Sequence, residues 1–155
     1  MTLLDFLKLP LAKSGHDFMQ VHIDLLMGWV WLVPTFQSST VEAAARNYIG
    51  SVFWDMGLPD TIVSDRDCSF TEEFWTALHK ALGSTLIFGS PDHHNTSLKV
   101  KLVNWVVADV LSAFVNNWQD NWLLLMQLVE FEFNYAASQL STGFTPFYAD
   151  HSQHP

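Results

Sequence analysis

The chain has 155 residues, 49% of them hydrophobic, which fits one globular domain able to bury a proper core. Sixteen Asp plus Glu against seven Lys plus Arg give a formal charge of −9, which argues against a protein that grips nucleic acid with its own basic surface. The single cysteine, Cys68, excludes an internal disulfide; no basic stretch precedes an apolar one at the start, and the longest apolar run, residues 25–34, is too short to span a bilayer.

Residues 3–9 alternate loosely and stop at Pro10, which suits a strand already under way at the first residue and a domain cut into at its N-terminal edge. Residues 18–23 read as a second strand, Val21 and Ile23 alternating with Gln20 and His22. A turn at 25–28 leads to a third strand, 30–33, ending at Pro34, so the chain opens as a meander. Ser39 with Glu42 has the form of a capping box, and Ala45, Tyr48, Ile49, Val52, Phe53 and Met56 then recur on one helical face up to Gly57, a suitable C′ residue. A fourth strand begins at the β-branched run 61–63, and strand, helix, strand is the order of a parallel crossover.

Thr71 is the expected cap of a second helix with Phe74, Trp75, Leu78, Ala81 and Leu82 on one face and Gly83 at its end. A fifth strand at 85–88, a loop at 89–95, a long helix over 96–117 and a last helix over 122–137 complete the reading, with turn-rich chain beyond. The expected fold class is therefore α/β, a five-stranded mixed sheet of three antiparallel strands then two parallel ones, flanked by helices.

Asp65 and Asp67 follow the end of the fourth strand, where carboxylates can hold a metal, or form a turn or cap a helix. His93 and His94 are the one close histidine pair, and no cysteine or histidine lies at ligand spacing from them, so no zinc site is expected. Lys99 and Lys101 form at most a thin basic patch, or else a solvated helix face. Cys68 reads as a bystander.

The wording of residues 58–67, Leu-Pro-Asp-Thr-Ile-Val-Ser-Asp-Arg-Asp, followed by Phe70-Thr71 and Phe74-Trp75, resembles the integrase catalytic core of gypsy-class long-terminal-repeat retrotransposons, a retroviral-type integrase of the ribonuclease-H-like superfamily. Upstream, Leu4-Asp5-Phe6, Leu9-Pro10 and residues 14–17 match in order; downstream, residues 119–122, Glu130-Phe131, residues 141–147 and His154-Pro155 do so. The resemblance covers nearly the whole chain.

It implies a ribonuclease-H-like fold and two-metal phosphoryl transfer, in which two aspartates and a glutamate hold Mg²⁺ or Mn²⁺ at the attacking and leaving oxygens. Matched position by position, the two aspartates are Asp5 and Asp65, both metal ligands. Asp24 falls outside the triad, and Asp67 is a turn or cap residue beside it. The glutamate position, in a register anchored by His93, Thr96 and Asn104, is Lys101. A lysine ammonium about 4 Å from a divalent ion would be repelled by roughly 8 kcal/mol at an effective dielectric of about 20. Asp109 and Asp92, the acids nearest in sequence, are poorly placed to substitute.

The implied function is the core domain of a retrotransposon polyprotein, integrating DNA by end processing and strand transfer, with catalysis impaired at Lys101. Its implied partners are DNA, as element ends and target, and further integrase chains in a homo-oligomer; its implied location is the nucleus or a cytoplasmic particle, without membrane or secretion. No counterpart of the family's zinc-binding or C-terminal DNA-binding domain is expected here. The alternatives are a non-enzymatic module that binds DNA or protein, and an active nuclease using a substitute acid. Lys101, Leu98 at a loop glycine, Ser97 at an acidic position, and Trp54 and Trp118 at positions where relatives carry arginine point to a decaying copy; Glu to Lys and Arg to Trp are single C-to-T or G-to-A changes. A genomic comparison finding no excess of such transitions over intact copies would sink that reading.

Overall fold

The computed structural model describes residues 1–64, 68–83, 109, 111, 115, 120–136 and 143–152. Strands β1 (Thr2–Lys8), β2 (Phe18–Asp24) and β3 (Val30–Thr35) form the expected antiparallel meander. Strand β4 (Ile62–Ser64) lies parallel to β1, so the sheet among the described residues runs β3-β2-β1-β4. The expected fifth strand lies outside them.

Alternation along the strands sends side chains to two buried faces. On one, Leu3, Met19, Val21, Ile23 and Leu32 pack with Trp122, Met126 and Val129. On the other, Leu4 and Trp31 pack with Ala44, Ala45, Tyr48, Phe74 and Leu78. Each such side chain taken fully out of water contributes about 1.5–3 kcal/mol. The second face holds a surprise. Gln20 and His22, the polar residues that alternate with Val21 and Ile23, are fully buried. They satisfy one another: the Gln20 amide donates to His22 Nε2 (2.8 Å) and to Ala44 O (3.0 Å), and Asn47 donates to Gln20 Oε1 (3.2 Å).

Helix α1 (Val41–Ser51) is capped by Thr40, whose hydroxyl accepts from Ala43 N–H (3.3 Å). This moves the expected cap on by one residue, because the Ser39 hydroxyl instead bonds Thr35 Oγ1 (2.9 Å) and accepts from Phe36 N–H (3.2 Å). A turn at Val52 separates α1 from the short α2 (Phe53–Met56), where one helix was expected. Gly57 ends α2 at φ 69°, a conformation that favours glycine.

Helix α3 (Cys68–Leu82) begins ahead of Thr71, which is therefore internal to it. Phe74 and Leu78 are its buried stripe, while Ala81, assigned to that stripe from spacing, is exposed. Of the expected helix over 96–117, residues 109 and 111 are helical. Helix α4 (Trp122–Phe131) continues as a π-helical turn over Glu132–Ala136, and a short α5 (Pro146–His151), capped by Thr145, occupies chain expected to be turns. Strand β3 also runs past its expected end to include Pro34. Among the described residues no helix is long and apolar enough to cross a membrane.

Candidate metal centre

Asp5 sits mid-way along β1, 7% exposed, on the face shared with Leu3 and Leu7. Its Oδ1 accepts the Phe6 N–H at 2.7 Å, which fixes the carboxylate against its own strand. Parallel pairing aligns Leu4 with Ser64, so β4 ends level with Asp5. Asp65 is bonded to Ser64 in the chain but lies outside the described residues, as do Asp67, Asp92, His93, His94, Lys99 and Lys101. Carboxyl ends of parallel strands are where open α/β sheets place their ligands.

Leu111 and Val115 pack into the cluster that holds Leu3, which puts that part of the chain on Asp5's face of the sheet. Asp109 is exposed, two residues from buried Leu111. Two residues on a helix are about 200° apart, so Asp109 is turned away from that face. Asp24 is equally remote. It pairs with Thr2, three residues from Asp5 along β1, or about 10 Å. Its Oδ2 accepts Met27 N–H (2.7 Å), closing the β2–β3 turn, in which Gly28 takes φ 76°.

Among the described residues no three His, Cys, Asp or Glu side chains converge as a metal site. What they supply is one buried carboxylate, Asp5, a hard-oxygen donor of the type Mg²⁺ and Mn²⁺ prefer, on a strand beside the end of β4. The donor chemistry therefore fits a divalent ion as far as it is described.

No family model matches the chain. It is 26% identical over 152 residues, 98% of its length, to the Transposon Tf2-3 polyprotein of Schizosaccharomyces pombe, of which it spans 11%. In three dimensions it is similar to the catalytic core domain of BIV integrase, with a TM-score of 0.65 and 17% identity, covering 97% of this chain and 93% of that one. The fold is that of an integrase catalytic core. A second core of this fold, that of HTLV-2 integrase in complex with magnesium in a trimeric form, superposes with a TM-score of 0.64 at 12% identity over 96% of this chain and 95% of that one. The integrase-core fold accounts for the layered sheet, and the similarity to a transposon polyprotein is in keeping with the resemblance that the motifs carry.

Two features escaped the sequence reading. One is the Gln20–His22 pair, hidden because alternation suggests solvent on one side of a strand. The other is the treatment of the β3 edge. Asn134 accepts Val30 N–H (2.8 Å) and donates to Val30 O (2.7 Å), Glu130 Oε2 accepts Leu32 N–H (2.8 Å), and Pro34 has no N–H to offer. The alternate donors of that edge are thus satisfied or deleted. The signal was present: Glu130 and Asn134 are polar residues four apart in an otherwise apolar helical run.

Proposed function

We propose that this chain is the core segment of a retrotransposon integrase that acts on DNA, that Asp5 and Asp65 hold Mg²⁺ or Mn²⁺, and that Lys101 in place of the family's glutamate impairs turnover. The observation that carries the reading is the placement of Asp5: a buried carboxylate on the central strand β1, level with the end of β4, from which the chain passes directly to Asp65. When bound, the ion supplies positive charge to the attacking and leaving oxygens of a phosphoryl transfer. Asp5 would contribute a ligand whose orientation is set by its bond to Phe6 N–H. Lys101 can contribute a cation but no ligand, and its charge opposes that of the ion.

Support for the DNA substrate comes from the similarity to transposon polyproteins, and support for the ion from the magnesium-bound HTLV-2 core. Self-association, and with it a nuclear or particle-bound setting, belongs to the same reading. Leu124 and Leu128 are 80% and 65% exposed on one side of α4, an apolar stripe that a second integrase chain would cover.

The test is a strand-transfer assay with Mn²⁺ on the domain joined to its flanking regions, comparing the native chain with Lys101→Glu. The revertant should join DNA ends at least about a hundredfold faster, since losing a ligand exceeds the 10–100-fold cost of losing a ligand's hydrogen-bond partner. Equal activity of the two proteins would refute the assignment of Lys101. Activity in neither would favour a non-enzymatic DNA- or protein-binding module.

A further inference from the structure

On the second face of the sheet the aromatic rings form a chain that begins beside Asp5. Phe6, the next residue of β1, meets Phe70 in the first turn of α3 edge-on, with centroids 5.7 Å apart and planes at 90°. Phe70 leans on Phe74 (6.3 Å), which is fully buried and edge-on to Tyr48 of α1 (6.1 Å). Phe6 thus works in two directions. Its ring packs toward α3, while its backbone N–H donates to Asp5 Oδ1 (2.7 Å), and alternation along β1 puts the Asp5 side chain on the other face.

The connectivity gives this ring contact a consequence for the metal site. Asp5 is flanked by Leu4, which is paired with Ser64 in the parallel register, and by Phe6, which is packed on Phe70. Residues 65–69 link Ser64 to Phe70, so the two neighbours of Asp5 hold both ends of the short segment that carries Asp65.

We propose that Phe6 is a positioning residue for the divalent ion, its ring fixing the start of α3 so that Asp65 is presented to the ion beside Asp5. This rests on the reading of Asp5 and Asp65 as metal ligands. Mg²⁺ and Mn²⁺ take carboxylate oxygens in a narrow range of geometry, so a ligand carried between two elements serves well only when both ends of its segment are held. An edge-on aromatic pair is directional, so it sets where the helix begins as well as burying its first turn. The hydrogen bond to Asp5 comes from the backbone. A substitution at position 6 therefore keeps that bond and removes the ring contact, and Asp65 is the ligand it disturbs.

The experiment measures Mn²⁺ binding to the 155-residue chain through the paramagnetic resonance signal of the free ion. Phe6→Leu and Phe70→Leu, which stay apolar at half-buried positions, should each weaken binding about tenfold, the low end of the cost of removing a metal ligand's supporting partner. The double variant should bind no more weakly than either single one, because the two rings make one contact. Leu78→Val, fully buried on the same helix, should lower the urea midpoint and leave Mn²⁺ affinity unchanged. Equal weakening by Leu78→Val would make Phe6 an ordinary core residue and overturn the proposal, as would additive losses in the double variant. If Phe6→Leu or Phe70→Leu does not fold, the other decides. Asp5→Asn and Asp65→Asn separate the two readings: native Mn²⁺ affinity in both would remove the metal site and the proposal with it, whereas binding lost in both but kept in Phe6→Leu and Phe70→Leu would overturn the proposal alone.

Discussion

At the scale of single residues, His22 couples the core to pH. The Gln20 amide nitrogen can only donate, so the His22 Nε2 it meets is an acceptor and the imidazole is neutral with its proton on Nδ1. That Nδ1 is buried without a hydrogen-bond partner among the described residues, and the imidazole meets the Tyr48 ring edge-on with centroids 5.3 Å apart. Burial drives the His22 pKa from 6.5 down to about 3. The folded state thus binds fewer protons than the unfolded state between those values, and stability falls as pH falls through that window, by up to about 1.4 kcal/mol per pH unit. Urea unfolding at pH 7 and pH 4 should show this loss. His22→Leu should cost about 1 kcal/mol at pH 7, from the bond lost to Gln20, yet flatten the dependence between pH 6.5 and pH 4. An unchanged slope in that variant would assign the acid sensitivity to other groups. None of this was visible in the sequence, where His22 looked like the polar half of an alternating strand; what decides is that α1 covers the second face of the sheet through Ala44, Ala45 and Tyr48.

Among the elements, the pairing of β3 with α4 and its π-helical turn is the contact whose loss is easiest to read. Asn134 is 2% exposed and answers both backbone groups of Val30. Asn134→Ala would leave a buried donor and a buried acceptor unsatisfied, at about 1–3 kcal/mol each. A drop in the denaturation midpoint of that size is expected, with faster amide exchange at Val30 and Leu32. Exchange unchanged at those amides would mean that the edge does not depend on the side chain. Asn134→Asp should be worse at neutral pH than at acid pH, because a carboxylate oxygen would then oppose Val30 O. The first four strands, the helices between the third and fourth and after the fourth, and the ends at Gly57 and Gly83 were legible because glycine and periodicity are local signals. The cap at Thr40, the break at Val52 and the edge bonds were not, because each depends on a partner distant in sequence or on a competition between neighbouring hydroxyls. Asp5 was singled out only through its motif: nothing local separates it from any acid on a strand, and what the structure adds is the register of β1 with β4.

For the whole molecule, charge and catalysis pull against each other. Of seven basic residues, Lys13 is 3.6 Å from Asp120, and Arg66, Lys99 and Lys101 flank Asp65 in sequence or fall in the register that the proposal assigns to a glutamate. If only those three face phosphates, the slope of log affinity against log salt for duplex DNA is about −2.7, and affinity at physiological salt is weak for a chain of net charge −9. Lys101→Glu removes one of these contacts. Without metal, its salt slope should therefore flatten by about 0.9 and its affinity fall, even as the same change supplies the third acid that the proposed site calls for. With Mn²⁺ present the proposed site requires the order to reverse, the variant binding DNA better than the native chain because a divalent ion, if held by three carboxylates, would present positive charge to the phosphate. Fluorescence anisotropy with one duplex, with Mn²⁺ and with chelator, across a salt series, measures both halves. If the native and variant slopes coincide in chelator, Lys101 does not face DNA; if they fail to cross over in Mn²⁺, the third carboxylate does not reach the ion held by Asp5 and Asp65, and the defect lies in more than one residue.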